Sequence, residues 1–140
     1  MTELSAVSLF AGLPAKELAD IGRSLTEISK PAGMQVVTAG ATGAAFLVIL
    51  EGEAEVELPG GGRRTLRPGD YYGEMALIDE AVRSATVTAK TDLRLLGMPK
   101  WEFKPFIGEH PEVAWRLLTT LSRRLREAEA KLGRTEGGAG

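Results

Sequence analysis

The arrangement of apolar and polar positions changes along this chain. Leu18 and Ile21 recur at helical spacing after Pro14, which predicts a short amphipathic helix with the proline in its first turn. From Lys30 to about Met98, short apolar or alternating segments are separated by glycine, proline and aspartate. Such punctuation is typical of a β-sandwich or a β-barrel.

Two kinds of strand are predicted in this middle region. Residues 44–50 are apolar throughout, and because the run is only roughly a third of a membrane span, it predicts a buried strand and no membrane span. Residues 53–58 alternate strictly between glutamate and apolar side chains. This alternation predicts a strand with Ala54, Val56 and Leu58 on the core face and three glutamates in solvent.

The β pattern is interrupted after Gly73, where residues 74–78 are rich in helix formers, and it resumes over residues 84–89. This break predicts one helical turn inserted among the strands. Residues 101–107 predict a short helical turn, and Pro111 begins a long helix that is expected to end near Gly133. The last residues, 134–140, are expected to fray.

Together these elements predict a mainly β, α+β fold. It is a jelly-roll-like β-roll of about eight strands with a short N-terminal helix, an inserted helical turn and a long C-terminal helix. The length of 140 residues fits one domain, 1–140, with the roll over 9–98 and the C-terminal helices over 101–133.

Composition excludes several classes of function. The formal net charge of −2 provides no positive electrostatic field that would attract a nucleic acid or an anionic membrane, so no direct binding to nucleic acid is expected. The chain has no cysteine and one histidine, His110, which excludes disulfides and thiol catalysis and leaves too few ligands for the metal centre of a cupin enzyme. No basic start followed by an apolar segment indicates a signal peptide, so a cytoplasmic location is expected.

Residues 72–87, called the candidate segment below, carry the clearest binding chemistry. Gly73 before a helical turn lets the backbone approach a ligand, and the amides of Met75 and Ala76 are oriented donors for an anion. Arg83 can return to the same place on the next strand, where its planar fork can bind two oxygens of a phosphodiester. The alternative is a structural arginine paired with a neighbouring carboxylate.

A second part of the ligand follows from Glu74. Its carboxylate would repel a phosphate, so it is useful only if it faces a donor such as a sugar hydroxyl. The Ser84 hydroxyl and the Ala85 amide can add further donors. A ligand with a phosphate and a ribose hydroxyl satisfies all of these groups.

The candidate segment resembles the phosphate-binding cassette of the cyclic-nucleotide-binding domain family, which includes catabolite activators, kinase regulatory subunits and cyclic-nucleotide-gated channels. The resemblance extends over nearly the whole chain through residues 9–13, the predicted turn at 31–33, residues 46–52 and the predicted turn at 68–70. It implies that Glu74 binds the ribose 2′-hydroxyl and that Arg83 binds the exocyclic phosphate oxygens. The amides implied to help are those of Gly73, Ala76, Ser84 and Ala85.

The resemblance also bears on the choice of nucleotide. Threonine at the position of Ser84 tends to accompany cGMP in the family, so serine here favours cAMP as the ligand, with cGMP as the alternative. Val82 departs from the family, which often has proline before the arginine, and this change is expected to loosen the presentation of Arg83 without abolishing binding.

The long C-terminal helix leaves two arrangements open. An apolar stripe recurs at alternating four- and three-residue spacing: Ala114, Leu118, Leu121, Leu125, Ala128 and Leu132. One interpretation is that the stripe forms a two-stranded coiled coil and therefore a homodimer. The other is that it packs on the chain's own roll. The family uses its terminal helix either in a dimer or as a lid over the base. On a lid, Arg124 would reach the adenine. The alternative is that Arg123, Arg124 and Arg126 are solvated surface charges.

These observations predict a non-enzymatic module that binds a cyclic nucleotide, changes conformation and passes the signal to an unknown protein partner. No nucleophile with an adjacent base and no set of metal ligands suggests an enzyme. One alternative is a nucleotide-binding fragment of a transcription regulator or gated channel. Another is a roll that has lost nucleotide binding and serves as an interaction scaffold.

Overall fold

The computed structural model describes residues 2–37, 45–58, 60–73 and 85–137. The chain divides into two compact units, Met1–Phe106 and Ile107–Gly140. All of the described strands belong to the first unit. The assignment of 1–140 to a single domain stays a prediction.

The N-terminal region contains the predicted amphipathic helix, α1, at Ala15–Arg23. Leu18 and Ile21 are its buried residues, which confirms the helical spacing seen in the sequence. Pro14 is the N-cap residue of α1 and so lies directly before the first turn, in which it was expected. A 3₁₀ helix at Thr2–Ala6 precedes it. The sequence does not predict this element, because one short turn has no measurable periodicity.

Eight strands lie within the described residues. They are β1 Thr26–Lys30, β2 Gln35–Val37, β3 Ala45–Glu51, β4 Ala54–Glu57, β5 Arg63–Leu66, β6 Tyr71–Tyr72, β7 Thr86–Ala89 and β8 Leu93–Pro99. They form two four-stranded antiparallel sheets: sheet 1 has the order β1-β8-β3-β6 and sheet 2 the order β2-β7-β4-β5. The predicted β-roll is therefore confirmed.

In sheet 1, strand β3 is buried on both faces. Leu47 and Ile49 point into a core cluster that includes Val56 and Val87 of sheet 2. On the opposite face, the Phe46 ring lies 5.8 Å from the Tyr71 ring and 5.4 Å from that of Phe103, between ring centroids. Burial on both faces explains why residues 46–50 contain no polar side chain.

In sheet 2, strand β4 has one buried and one wet face, as the alternation predicted. Ala54 and Val56 are fully buried. Glu55 and Glu57 lie on the outer face, where the Arg63 guanidinium is 3.1 Å from Glu55 and 3.8 Å from Glu57. The prediction for Leu58 was wrong, because β4 ends at Glu57 and the leucine beyond it is 41% exposed.

Two helices end the described chain: α2 at Lys100–Glu109 and α3 at Pro111–Gly137. The prediction that the last helix ends near Gly133 was wrong, because α3 continues to Gly137. The expected fraying of residues 134–140 stays a prediction, and residues 138–140 lie outside the described residues. Glycine ends a helix when it adopts the left-handed conformation, and Gly133 does not adopt it. A glycine inside a helix costs only about 1 kcal/mol relative to alanine, so the helix continues past it.

Candidate functional site

The candidate segment joins the two sheets. Gly73 directly follows β6 of sheet 1, and Ala85 directly precedes β7 of sheet 2. Residues 74–84 between them lie outside the described residues. The predicted ligand contacts that fall there, and that stay predictions, are Glu74, Met75, Ala76, Arg83 and Ser84.

Gly73 has a backbone that only glycine adopts readily. Its φ is +108°, in the left-handed half of conformational space where a side chain would be strained. The residue is also buried. Both observations agree with the prediction that Gly73 is present for its backbone, so that the chain after β6 can turn closely around a ligand.

A hydrogen-bonded turn holds Gly73 in place from the sheet 1 side. At the predicted turn of residues 68–70, the Gly69 amide donates to the Ile49 carbonyl at 2.9 Å, and the Ile49 amide donates to the Asp70 carbonyl at 2.9 Å. The Asp70 carboxylate accepts a hydrogen bond of 2.8 Å from the Arg67 amide. These bonds fix the start of β6 against β3 and so limit the positions that Gly73 can take.

Ala85 is held from the sheet 2 side. It is 2% exposed and packs in the same core cluster as Val87, on the inner face of the roll. Strand β7 is an interior strand of sheet 2, paired with β2 and β4. At its far end, Ala89 exchanges backbone hydrogen bonds with Gly33 at 2.7 Å and Met34 at 2.8 Å, in the predicted turn after residue 31.

Leu58 and Arg64 are exposed at the end of sheet 2 where β7 begins. Arg64 and Leu66 are two residues apart on β5, so a strand that buries Leu66 turns Arg64 to the same face.

Arg124, the predicted contact to the base, lies on α3 and is half-buried. Its role stays a prediction. The neighbouring Arg123 is exposed, and its guanidinium lies 3.9 Å from the Glu127 carboxylate one helical turn away. Arg123 therefore fits the alternative of solvated surface charge.

The apolar stripe of α3 is largely uncovered. Leu118, Leu125 and Leu132 are 58–62% exposed, and Trp115 nearby is also exposed. Burial instead falls on Val113 and Leu117. Both alternatives for the stripe, a dimer seam or packing on the chain's own roll, stay predictions.

The described residues also bear on metal sites and membrane spans. Within the part of the chain that the structure describes, no group of three or more histidine, aspartate or glutamate side chains could hold a metal ion. None of the described helices combines the length and the apolar character that crossing a membrane requires.

Comparison with known families accounts for this arrangement. The model of the cyclic nucleotide-binding domain matches residues 27–110, from β1 to the end of α2 and the residue after it. This chain belongs to that family. The match includes Gly73, Ala85 and the whole candidate segment between them.

The chain is similar to curated regulators of several kinds. It is 36% identical to the cAMP-dependent protein kinase regulatory subunit of Aspergillus fumigatus over 81% of this chain and 28% of that protein. It is 27% identical to the CRP-like cAMP-activated global transcriptional regulator of Mycobacterium tuberculosis over 92% of this chain and 60% of that protein. The chain thus spans between about a quarter and three fifths of these relatives.

Solved structures give the same family likeness. The catabolite activator protein of Thermus thermophilus matches 91% of this chain and 62% of its own length with a TM-score of 0.82 and 33% identity. The regulatory domain of Toxoplasma gondii PKA, crystallised with cAMP, matches 87% of this chain and 48% of its own length with a TM-score of 0.74 and 27% identity.

Proposed function

We propose that this chain binds a cyclic nucleotide, with cAMP preferred to cGMP, and performs no chemistry on it. The observation that carries the proposal is the family match across residues 27–110, which contains a left-handed Gly73 and a buried Ala85 at the two ends of the candidate segment. The choice of cAMP is supported by the A. fumigatus and T. gondii proteins and by serine at position 84.

In this proposal the candidate segment divides the ligand between two side chains. Arg83 binds the exocyclic phosphate oxygens with its guanidinium fork, and Glu74 accepts a hydrogen bond from the ribose 2′-hydroxyl. The amides of Gly73, Ala76, Ser84 and Ala85 complete the phosphate site. Because Gly73 extends from sheet 1 and Ala85 from sheet 2, one bound phosphate would connect the two sheets.

The proposed output is a shift between two conformations. A ligand changes such an equilibrium only through its different affinities for the two states. Phosphate binding at Arg83 would draw the candidate segment inwards, and α3 would close over the base with Arg124 facing the adenine. The recipient of the signal is a protein partner of unknown identity.

The exposed stripe of α3 supports a second element of the proposal, a homodimer. Three leucines at heptad spacing are left in solvent, as the seam of a two-stranded coiled coil requires in the isolated chain. Light scattering of the pure protein should give twice the monomer mass, and Leu118→Glu with Leu125→Glu should give the monomer mass. A monomer in the unsubstituted protein would rule out this seam.

Calorimetric titration with cAMP and cGMP tests the binding proposal. A charge-assisted bidentate pair contributes about 1.5–3 kcal/mol, so Arg83→Ala should weaken cAMP binding by at least about tenfold. Arg63→Ala is the matched control, because Arg63 lies on the outer face of sheet 2 and pairs with Glu55 and Glu57. Its cAMP affinity should equal that of the unsubstituted protein.

Other outcomes would select the alternatives. No heat with either nucleotide would indicate an interaction scaffold, and hydrolysis of cAMP by pure protein would indicate an enzyme. Since the chain spans only part of its curated relatives, a nucleotide-binding part of a transcription regulator or a gated channel is a third candidate. A longer parent chain with a DNA-binding or membrane-spanning region would establish this third candidate.

A further inference from the structure

One side of α3 carries a groove whose two ends differ in chemistry. The groove has a volume of about 420 Å³, and the residues that line it are Trp115, Leu118, Thr119, Ser122, Arg123 and Arg126. Residues three and four positions apart are neighbours on the surface of a helix, and this spacing holds throughout the set. The groove therefore follows a single face of α3.

Trp115 and Leu118 form the apolar end of the groove. Trp115 is 66% exposed and Leu118 is 58% exposed. Successive residues of a helix are about 100° apart, so Trp115 lies nearly opposite Val113 and Leu117, which are buried. Large apolar side chains that are exposed together are typical of an interaction surface, and tryptophan is prominent among the residues that contribute most to binding.

Arg123 and Arg126 form the basic end of the groove. The Arg123 guanidinium lies 3.9 Å from the Glu127 carboxylate, and because both side chains are exposed, solvent screens most of this attraction. In the part of the chain that the structure describes, no ion pair is recorded for Arg126, which is also exposed. The basic end thus carries positive charge that the carboxylates of a partner could neutralise.

The length and the charge of the groove indicate the kind of partner. From Trp115 to Arg126 the helix rises by about 16 Å, which is about three turns. A second helix packed along this face could place an apolar side chain against Trp115 and carboxylates beside the two arginines. A nucleic acid is less favoured, because its affinity comes from many phosphate contacts and this chain has a net charge of −2.

We propose that this groove binds an acidic amphipathic helix of a partner protein. The apolar anchor at Trp115 provides most of the affinity, and the two arginines select acidic partners and repel basic ones. This inference goes beyond nucleotide binding and does not depend on it. The groove also differs from the proposed homodimer seam, because it shares Leu118 with the seam but does not include Leu125 or Leu132.

Titration with a synthetic peptide tests whether the groove is the binding site. The probe is a tryptophan-free amphipathic helical peptide of leucine and glutamate, and the control probe has lysine in place of glutamate. In the Trp101→Phe protein, Trp115 is the one remaining tryptophan. The glutamate peptide should cover the Trp115 indole and move its emission to shorter wavelength, whereas the lysine peptide should leave the emission unchanged.

Calorimetry on substituted proteins tests the two ends of the groove. Trp115→Ala should weaken binding of the glutamate peptide by about tenfold or more, and Arg123→Glu with Arg126→Glu should do the same through charge repulsion. The matched control is Lys100→Glu with Lys104→Glu, which changes the net charge by the same amount at exposed positions of α2. It should change the affinity by less than about threefold.

Several results would overturn the proposal. They are the absence of binding by the glutamate peptide, equal binding of both peptides, and tighter binding of a single-stranded oligothymidine. A shift of the Trp115 emission with protein concentration alone would also overturn it, because a second copy would then occupy the groove. All of the substituted side chains are exposed, so each variant should keep the thermal midpoint of the parent, which serves as the folding control.

Discussion

Strands β3 and β4 follow each other in the chain but bury their side chains in different ways. Strand β3 lies inside sheet 1 with Leu47 facing the core between the sheets and Phe46 facing Phe103 of α2. Strand β4 lies inside sheet 2 with Val56 facing the core and Glu55 facing solvent and Arg63. The number of covered faces, one or two, thus determines whether a strand sequence alternates or is apolar throughout.

The difference also gives the two ends of the candidate segment different supports. Gly73 extends from a sheet whose outer face is partly packed with aromatic rings, and Ala85 extends from a sheet whose outer face carries charge pairs in water. Buried packing contributes several kcal/mol per side chain, whereas exposed ion pairs contribute about 1 kcal/mol or less. We therefore expect sheet 1 to be the more sensitive of the two to substitution on its outer face.

Exchanging the two outer-face patterns should give the largest effect. Val48→Glu places a carboxylate at a fully buried site of β3, and an uncompensated buried charge costs several kcal/mol. Chemical denaturation should show a protein with little remaining stability. The reverse exchange, Glu55→Val on the wet face of β4, should change the free energy of unfolding by less than about 1 kcal/mol, and a loss as large as that of Val48→Glu would contradict the comparison.

Removing the aromatic contact should give the next largest effect. Phe46 is fully buried between Tyr71 and Phe103, and Phe46→Ala should lower the free energy of unfolding by about 3–5 kcal/mol. Thr65→Ala, at a half-buried position of β5 in sheet 2, is the control and should cost about 1 kcal/mol or less. If urea denaturation gave equal losses for both variants, the aromatic packing would not be what distinguishes sheet 1.

Substitution in the turn from β3 of sheet 1 to β4 of sheet 2 should give a smaller loss of stability. Gly52 lies between β3 and β4 with φ +86°, and a Cβ atom there would clash with the Asp92 carbonyl oxygen. Gly52→Ala should therefore cost about 1–3 kcal/mol by thermal unfolding, through overpacking and backbone strain.

Gly61→Ala is the matched control for this turn. Gly61 has a similar φ of +96° but no atom within 4 Å of the added Cβ. Gly61→Ala introduces the same backbone strain as Gly52→Ala without the steric clash, so it should lower the stability by less. If Gly52→Ala lost no more stability than Gly61→Ala, the turn between β3 and β4 would accommodate the added Cβ without a clash.

The wet face of sheet 2 should give the smallest effect. Arg63→Ala removes contacts to Glu55 and Glu57 across the strands, and exposed pairs of this kind contribute about 0.2–1 kcal/mol. The loss should shrink when urea denaturation is repeated in 1 M salt, because the Debye length falls to about 3 Å. A loss independent of salt would point to packing by the arginine stem instead.

Local patterns in the sequence determined much of this protein. The uninterrupted apolar run of β3, the alternation of β4 and the turns at residues 31–33 and 68–70 were all predicted from neighbouring residues, and the structure confirms them. These features depend on side-chain periodicity and on backbone preferences, which act over a few residues. The ligand contacts at Glu74 and Arg83 were also inferred from sequence, and they stay predictions.

Only the tertiary structure decided which surfaces are covered. Local periodicity predicts Leu58 in the core and an end to the last helix near Gly133, whereas Leu58 is exposed beyond β4 and α3 continues to Gly137. The inward position of Arg64 likewise depends on its register with Val56. Burial and register are set by pairing between residues distant in the chain, and local periodicity does not specify which partner covers a given side chain.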